Sequence, residues 1–427
     1  MKMDINTLKS VVAEQNAMLG LSEAWTPRER LADIEPYLKI SHAVIISGMR
    51  RCGKSTLLAQ ILQTHSPDKI YYLTFEDERL LEFTVQDFNH LFEVFNELYG
   101  KRKIFFLDEI QNIPKWEAFV RRMQEDNYKF FITGSNASML SKELGTRLTG
   151  RHVVVELFPF SFREYLLFNH LQFHVNDFLH TQKRAELKRA FQQYLKFGGM
   201  PEYLKYQDLN LLKRAYEDIL YRDVMARHDI SNEKALRELG LFLISNIGNL
   251  ISFNKIKSIL QLGSVNTIKN YIQHLENAYL FFTVNQFSFS VKQQMIASKK
   301  IYVIDNGIAE SVAFQFSKNE GHYLENLVFI ELKRKSHNVD IFYYKTSQGQ
   351  EIDFLLFAKN KIESLIQVVY SFKDKSTRER EINALLNAMQ ETELTSAMIL
   401  TYDQSEKIKI NGKLISVVPV YQWLLTK

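Results

Sequence analysis

Cysteine is almost missing from this chain. Cys52 is alone among 427 residues, which excludes an intramolecular disulfide and any zinc site built from several thiolates, and suits a reducing cytoplasm. Long apolar runs are missing too. No segment offers the roughly 18 uncharged apolar residues that read as a membrane span, and the opening MKMDINTLKSVVAEQNAML lacks the continuous apolar core of a secretory signal. The expectation is a soluble, cytoplasmic protein with no membrane partner. Strong charge of one sign is the third absence. A formal charge of +5 and a pI near 8.9 permit nucleic-acid binding without demanding it, and a solvated basic surface accounts for them equally well. Apolar residues are plentiful, at 46%, so the chain is globular, and its length predicts two to four domains.

The segment Val44 to Thr56, VIISGMRRCGKST, sets Gly48, Gly53, Lys54 and Ser55 at the spacing G-x-x-x-x-G-K-[ST]. Chemically this is a phosphate-binding loop. The glycines let backbone N–H groups close around phosphates, Lys54 reaches the outer phosphates, and the Ser55 hydroxyl is suited to ligate Mg²⁺. The helix beginning near Lys54 adds the partial positive charge of its N-terminus. Arg51 and Thr56 complete the expected nucleotide-binding set. The apolar run Val44 to Ile46 reads as a buried strand, and Leu57, Leu58, Ile61 and Leu62 continue as a helix. Cys52 lies inside the loop, where it is either a thiol whose oxidation blocks nucleotide or a small filler.

Residues Ile5 to about Leu38 carry helical periodicity, with WTPRER as a Thr-Pro helix start, and form a lead-in expected to pack on the nucleotide domain. KIYYLTF is a strand, and a helix spans about Phe88 to Leu98. Ile104 to Leu107 followed by Asp108 and Glu109 is the pattern of a buried parallel strand ending in two carboxylates. Asp108 is expected to hold the Mg²⁺ shell and Glu109 to polarise the attacking water; the alternative is a surface turn. The strand KFFIT leads into Gly134, Ser135 and Asn136, a turn that resembles the polar sensor of AAA-type ATPases, with Ser135 or Asn136 facing the water or terminal phosphate. A simple Asn-containing turn is the other reading. Arg147 and Arg151 flank LTG before the strand His152 to Leu157, where each is either an arginine finger for a neighbouring subunit or an ordinary surface charge.

After Pro159 the pattern is helical to about Ile230, broken by the Gly198, Gly199 and Pro201 turn. LRELGLFLISNIGNLIS, SFNKIKSILQL (capped by Ser252) and a helix capped by Ser264 have the outline of a helix-turn-helix. Asn266, Thr267, Lys269 and Asn270 then face base edges and phosphates, with Phe281 to Met295 as a wing hairpin; protein contact is the alternative, since Lys269 is the sole cation there. KKIYVID opens the last region. Glu325 on a helix, Asp353 on a strand and a third strand further on have the layout of a PD-(D/E)XK nuclease core, in which acids hold a metal and a lysine steadies developing charge. The third strand departs from it. LIQVVY puts Gln367 at the acid position and Val369 at the lysine position, with Lys373 four residues away, so cleavage is not expected.

Taken together, GMRRCGKSTLL, IFFLDEIQNIPKWE, ITGSNASML, LTGRHVVVELFPFSFREYL, GGMPEYL, YRDV, NTIKNYIQHLENAYL, KIYVIDNGI, YLENLVFIEL and QGQEIDFLL resemble a bacterial and archaeal family of AAA-type ATPases with a C-terminal region of unknown function. The resemblance runs along nearly the whole chain. It implies ATP and not GTP, in keeping with the missing N-K-x-D guanine-reading motif, and a fold in which an α/β P-loop AAA-type parallel sheet core precedes a helical segment, a winged-helix domain and a PD-(D/E)XK-like α/β domain. It also implies that the tail commonly carries a lysine where Val369 stands. The expected divisions are 1–38 (lead-in), 39–165 (ATPase core), 166–230 (helical lid), 231–298 (winged helix) and 299–427 (nuclease-like domain). Three functions are compatible: an Mg²⁺-dependent ATPase acting on double-stranded DNA, a nucleotide-gated protein switch, and an ATP-dependent nuclease. In the first, hydrolysis is expected to be slow unless a homo-oligomer or protein partner supplies an arginine finger.

Overall fold

Near-continuous runs of large apolar residues, buried on both faces, build the first sheet. In the computed structural model the strands are β1 (Ala43–Gly48), β2 (Ile70–Thr74), β3 (Ile104–Asp108), β4 (Lys129–Gly134) and β5 (His152–Leu157), ordered β2-β3-β4-β1-β5 and parallel throughout. Successive side chains of a strand point to opposite faces. Ile45, Phe105, Leu107, Phe130 and Ile132 therefore enter one apolar layer, while Val44, Ile46, Phe106 and Phe131 enter the other. Helices Ile5–Ala17, Phe88–Tyr99 and Trp116–Glu125 contribute to the first layer and Lys54–Leu62 to the second. Each such side chain contributes roughly 1.5–3 kcal/mol on full burial.

The structure describes residues 3–17, 25–136, 148, 150–173, 177, 178, 180–313, 320–335 and 339–426. They fall into two compact units, Met1–Phe158 with Asn277–Tyr279, and Pro159–Glu276 with Leu280–Lys427. In the first unit, helix Ile5–Ala17 covers the exposed edge of β2: the Asn16 amide donates to the Tyr72 carbonyl at 2.9 Å, and Gln15 Oε1 accepts from the Thr74 N–H at 2.9 Å. A bare parallel edge would otherwise invite pairing with another chain. Helicity is not continuous to Leu38, however. After Ala17 the next described helix is only Leu31–Ile34, extended by a 3₁₀ turn Glu35–Tyr37; Thr26 and Pro27 belong to an irregular segment in which the Thr26 carbonyl accepts from the Gln60 amide and the Arg28 side chain reaches the Cys52 carbonyl.

The second unit begins with helices Phe162–Phe168, Thr181–Phe197, Pro201–Tyr206 and Leu209–Asp218 and a π-helical stretch Ile219–Ala226. Helices Glu233–Ile244, Phe253–Ile259 and Val265–Asn277 follow, with an antiparallel sheet of β6 (Leu250–Ile251), β7 (Phe281–Val284) and β8 (Lys299–Val303) in the order β6-β8-β7. Three expectations change here. The Leu236 helix stops at Ile244, since Gly248 takes φ +75° and turns the chain into β6. Ser252 stands at an N-cap without a side-chain hydrogen bond, whereas the Ser264 hydroxyl does accept from the Asn266 N–H at 3.1 Å. The hairpin is also longer than Phe281 to Met295: β7 pairs with β8, the strand read as opening the last region, across a short helix Val291–Ile296.

The last sheet holds β9 (Asp340–Lys345), β10 (Glu351–Ala358), β11 (Lys361–Val369), β12 (Ser396–Thr401), β13 (Glu406–Ile410) and β14 (Lys413–Pro419), ordered β13-β14-β12-β11-β10-β9 with mixed directions. Helix Lys375–Glu391 buries Ile382, Leu385, Ala388 and Met389 against it. The strands after Thr395 were not legible as separate elements.

Candidate active site

The parallel order of the first sheet brings the carboxyl ends of β1, β3 and β4 together, with β1 at the point where strand order reverses, the place where open α/β sheets take ligands. Each end delivers part of the site. β1 ends at Gly48, where an added Cβ would stand 2.3 Å from the Leu157 carbonyl oxygen, so only glycine lets the loop leave the sheet here. Gly53 has φ +99° and starts helix Lys54–Leu62; a Cβ there would meet Arg28 Nη1 at 2.9 Å. Arg51 is held at φ 134°, a region costly for any residue with a side chain. Beneath the loop the buried Arg28 guanidinium donates to the carbonyls of Cys52 at 2.7 Å and Phe158 at 2.6 Å. Cys52 is wholly buried, its Sγ donating to the Leu157 carbonyl at 3.3 Å, and burial pushes its thiol pKa up. This is the filler reading, with little thiolate to oxidise.

Lys54, 5% exposed, directs its Nζ to Glu109 Oε1 at 3.2 Å and to the Met49 carbonyl at 3.2 Å. Glu109 follows β3 at φ 52°, a left-handed conformation that turns its carboxylate back toward the loop. Burial opposes its ionisation, but Lys54, the Gln111 amide and Arg50 outweigh that and hold its pKa below the usual range. Asp108 behaves oppositely. Burial, with Glu109 adjoining, pushes its pKa up despite hydrogen bonds from the Thr133 and Ser55 hydroxyls. The two neighbouring carboxyls are thus shifted in opposite directions, and Glu109 is the one held ionised, as a base must be.

The end of β4 joins these groups. Thr133 Oγ1 donates to Asp108 Oδ1 and accepts the Glu109 N–H at 2.9 Å. The Gln111 amide donates to Glu109 Oε2 and to Ser135 Oγ at 3.2 Å, leaving Gln111 Oε1 buried with no partner among the described residues. Of the two sensor candidates, Ser135 brings its side chain to the network, while Asn136 accepts from the Ser47 hydroxyl through its carbonyl at 3.1 Å. Ser55 is exposed and Thr56 half-buried on the first turn of the helix.

The arginines do not gather here. Arg147 lies outside the described residues. Arg151 is exposed and precedes β5, its carbonyl bonded to the Ala43 N–H at the start of β1. That is the opposite end of the sheet, about 17 Å of strand away from the loop at 3.3 Å per residue, so Arg151 cannot serve the site of its own chain. Thr133, Gln111 and Arg28 were missed by sequence reasoning. Only Gln111, inside DEIQN, carried a local signal.

Elsewhere, Asn266, Lys269 and Asn270 are exposed and Thr267 half-buried on helix Val265–Asn277, whose opposite face buries Ile268, Ile272 and Leu275. Glu325 and Asp353 do converge, on Lys300; Gln367 adjoins them through the Asp353 N–H at 3.1 Å. Lys373 is exposed on the loop after β11, and Val369 lies in the apolar layer under helix Lys375–Glu391. The lysine among these acids is therefore Lys300, which the sequence reading did not consider.

Residues 41–166 match the AAA domain family, and residues 188–319 and 320–423 match two domains of unknown function, DUF8612 and DUF4143. Over 434 residues the chain is 37% identical to the uncharacterized protein MJ1544 of Methanocaldococcus jannaschii, covering 98% of this chain and 96% of that protein. An uncharacterized protein of Haemophilus influenzae is 30% identical over 421 residues, covering 95% and 100%. The chain belongs to this AAA-type ATPase family. Among solved structures, AMPPCP-bound DnaA from Aquifex aeolicus is 15% identical, covering 59% of this chain and 89% of that one at a TM-score of 0.27, a likeness too low to carry an argument. The ATPase has no described helix long and apolar enough to cross a membrane.

Proposed function

We propose that the protein is an Mg²⁺-dependent ATPase whose nucleotide state controls a DNA-binding C-terminal region. The observation that carries the reading is the buried Lys54–Glu109 pair beside Asp108, Ser55 and Thr133. In that pair Lys54 neutralises the carboxylate. An incoming γ-phosphate competes for the Lys54 ammonium, and Glu109, already ionised, is released to accept a proton from the attacking water. Gln111 Oε1, a buried acceptor with no described partner, suits the second hydrogen of that water. The hydroxyl of Ser55 and the carboxyl of Asp108 form an oxygen donor pair of the kind that holds Mg²⁺ directly or through water; the ion supplies neutralisation of phosphate charge. Thr133 keeps Asp108 and the Glu109 backbone in register.

The DNA reading is supported by the outward face of Asn266, Lys269 and Asn270 on a helix beside a β-hairpin. Its test is ATP turnover and binding with double-stranded DNA. Turnover rising with DNA, and binding that weakens steeply as salt increases, are expected; no binding even at low salt overturns the DNA part. A second reading, a nucleotide-gated protein switch, is favoured by the tip of that hairpin, where Phe289, Val291, Met295 and Ile296 are 88, 69, 76 and 76% exposed. An arginine supplied by another subunit belongs to either reading.

A further inference from the structure

The acidic cluster of the second unit already contains a cation. Lys300 on β8 is 2% exposed, and its Nζ lies 2.9 Å from Glu325 Oε1, 2.9 Å from Glu351 Oε1 and 2.7 Å from Asp353 Oδ1. An ammonium has three N–H donors and no acceptor. Two of them are hydrogen-bonded, to Glu325 on helix Glu320–Lys335 and to Asp353 on β10, while Glu351 at the start of β10 completes the ring of acids as an ion-pair neighbour.

The surrounding groups fix the acids in that arrangement. The Tyr302 hydroxyl donates to the same Glu325 Oε1 at 2.7 Å, and Asp353 Oδ2 accepts the Val368 N–H at 2.9 Å. Gln367 uses both ends of its amide, accepting from the Asp353 N–H at 3.1 Å and donating to Glu381 Oε2 at 2.9 Å, and brings no negative charge to the cluster. Gly248 closes the far side: a Cβ there would stand 2.7 Å from His322 Nδ1 and 3.2 Å from Glu325 Oε2. Burial works against the Lys300 charge, but the neighbouring acids, Asp353 foremost, hold it protonated.

We infer that the Lys300 ammonium occupies the position a divalent cation would take among Glu325, Glu351 and Asp353, making this a self-neutralised, metal-free acidic site. The separations suit an ammonium. Carboxylate oxygens bind Mg²⁺ at roughly 2.0–2.1 Å, well inside the N–O distances observed here. Among the described residues, no group of three His, Cys, Asp or Glu side chains is arranged to hold a metal ion. With the motif acid replaced by Gln367 and the motif lysine by Val369, the module keeps the architecture of an acid cluster without a place for the ion that hydrolysis requires.

The test uses the full chain without nucleotide and counts bound Mn²⁺ by electron paramagnetic resonance. Wild type is expected to hold no Mn²⁺ that depends on Asp353, so Asp353→Asn leaves the count unchanged. Lys300→Ala, which empties the position and leaves three acids facing one another, is expected to gain one Mn²⁺ per chain and to lose it again in combination with Asp353→Asn. Lys300→Met fills the same space without charge and is expected to gain none. A wild-type Mn²⁺ that disappears in Asp353→Asn overturns the inference whether or not the Lys300 variants fold. So does a Lys300→Ala protein that unfolds cooperatively, as a folded protein does, yet binds no additional ion. Nicking of plasmid by wild type in Mg²⁺ or Mn²⁺, abolished by Asp353→Asn, would contradict it equally.

Discussion

Lys54 and Glu109 neutralise one another 3.2 Å apart in a buried site, so neither is simply waiting for substrate. Their pairing makes Thr133 the residue to perturb, because it touches both acids without carrying charge. Thr133→Val keeps the volume and removes the hydroxyl that serves Asp108 and the Glu109 N–H. The expected cost is about 1–3 kcal/mol in unfolding free energy, with ATP turnover reduced roughly 10- to 100-fold, about 1.4–2.7 kcal/mol in the barrier. Thermal unfolding and steady-state kinetics measure the two effects. Unchanged turnover would remove Thr133 from the site. At this scale the sequence was legible wherever chemistry depends on local spacing. Gly48, Gly53, Lys54 and Ser55 lie within eight positions, and Asp108 and Glu109 close one apolar strand. Thr133 and Arg28 were illegible because a threonine in KFFIT and an arginine in WTPRER acquire their roles only when the ladder β3-β4 and the segment before β1 are in place.

At the scale of elements, two motifs receive a structural account. Asp305 Oδ2 accepts the Gly199 N–H at 2.7 Å and Oδ1 the Gly307 N–H at 2.9 Å, tying the end of helix Thr181–Phe197 to the start of helix Asn306–Val312. A Cβ at Gly198, which has φ +70°, would lie 2.0 Å from the same carboxylate, and one at Gly199 would lie 2.2 Å from the Phe160 carbonyl oxygen, hence the paired glycines. Burial pushes the Asp305 carboxyl up to about 7, outweighing those N–H groups and Arg334. The folded state thus keeps a proton that the unfolded chain releases above about pH 4. The contribution of Asp305 to stability therefore falls as pH rises from about 4 to about 7 and is level beyond, by on the order of 4 kcal/mol. Urea unfolding of wild type and Asp305→Asn at pH 5 and pH 7.5 checks this. The stability difference between them should shift toward the variant at the higher pH, and a pH-independent difference would contradict the assignment. The helices around the first sheet were readable from period and its strands from short continuous apolar runs, which place Phe105 and Phe106 in opposite layers. The pairing of β8 with β6 and β7 was not, because register between distant strands leaves no local trace.

For the whole molecule, family membership and the parallel sheet establish an AAA-type ATPase core, and the second unit adds a three-stranded and a six-stranded sheet. That Glu325 and Asp353 come together was legible in the sequence. The lysine between them was not, because Lys300 arrives from a strand 53 positions before Asp353. The central claim is that Glu109, freed from Lys54, activates water for ATP hydrolysis. The most direct measurement is Mg²⁺-dependent ATP turnover of wild type and Glu109→Gln, with ATP binding measured in parallel. The account predicts that the variant binds ATP at least as well as wild type while turnover falls by about 10²-fold or more, the usual contribution of a positioned general base. Equal turnover in the variant, or a wild type that binds no ATP, would contradict it.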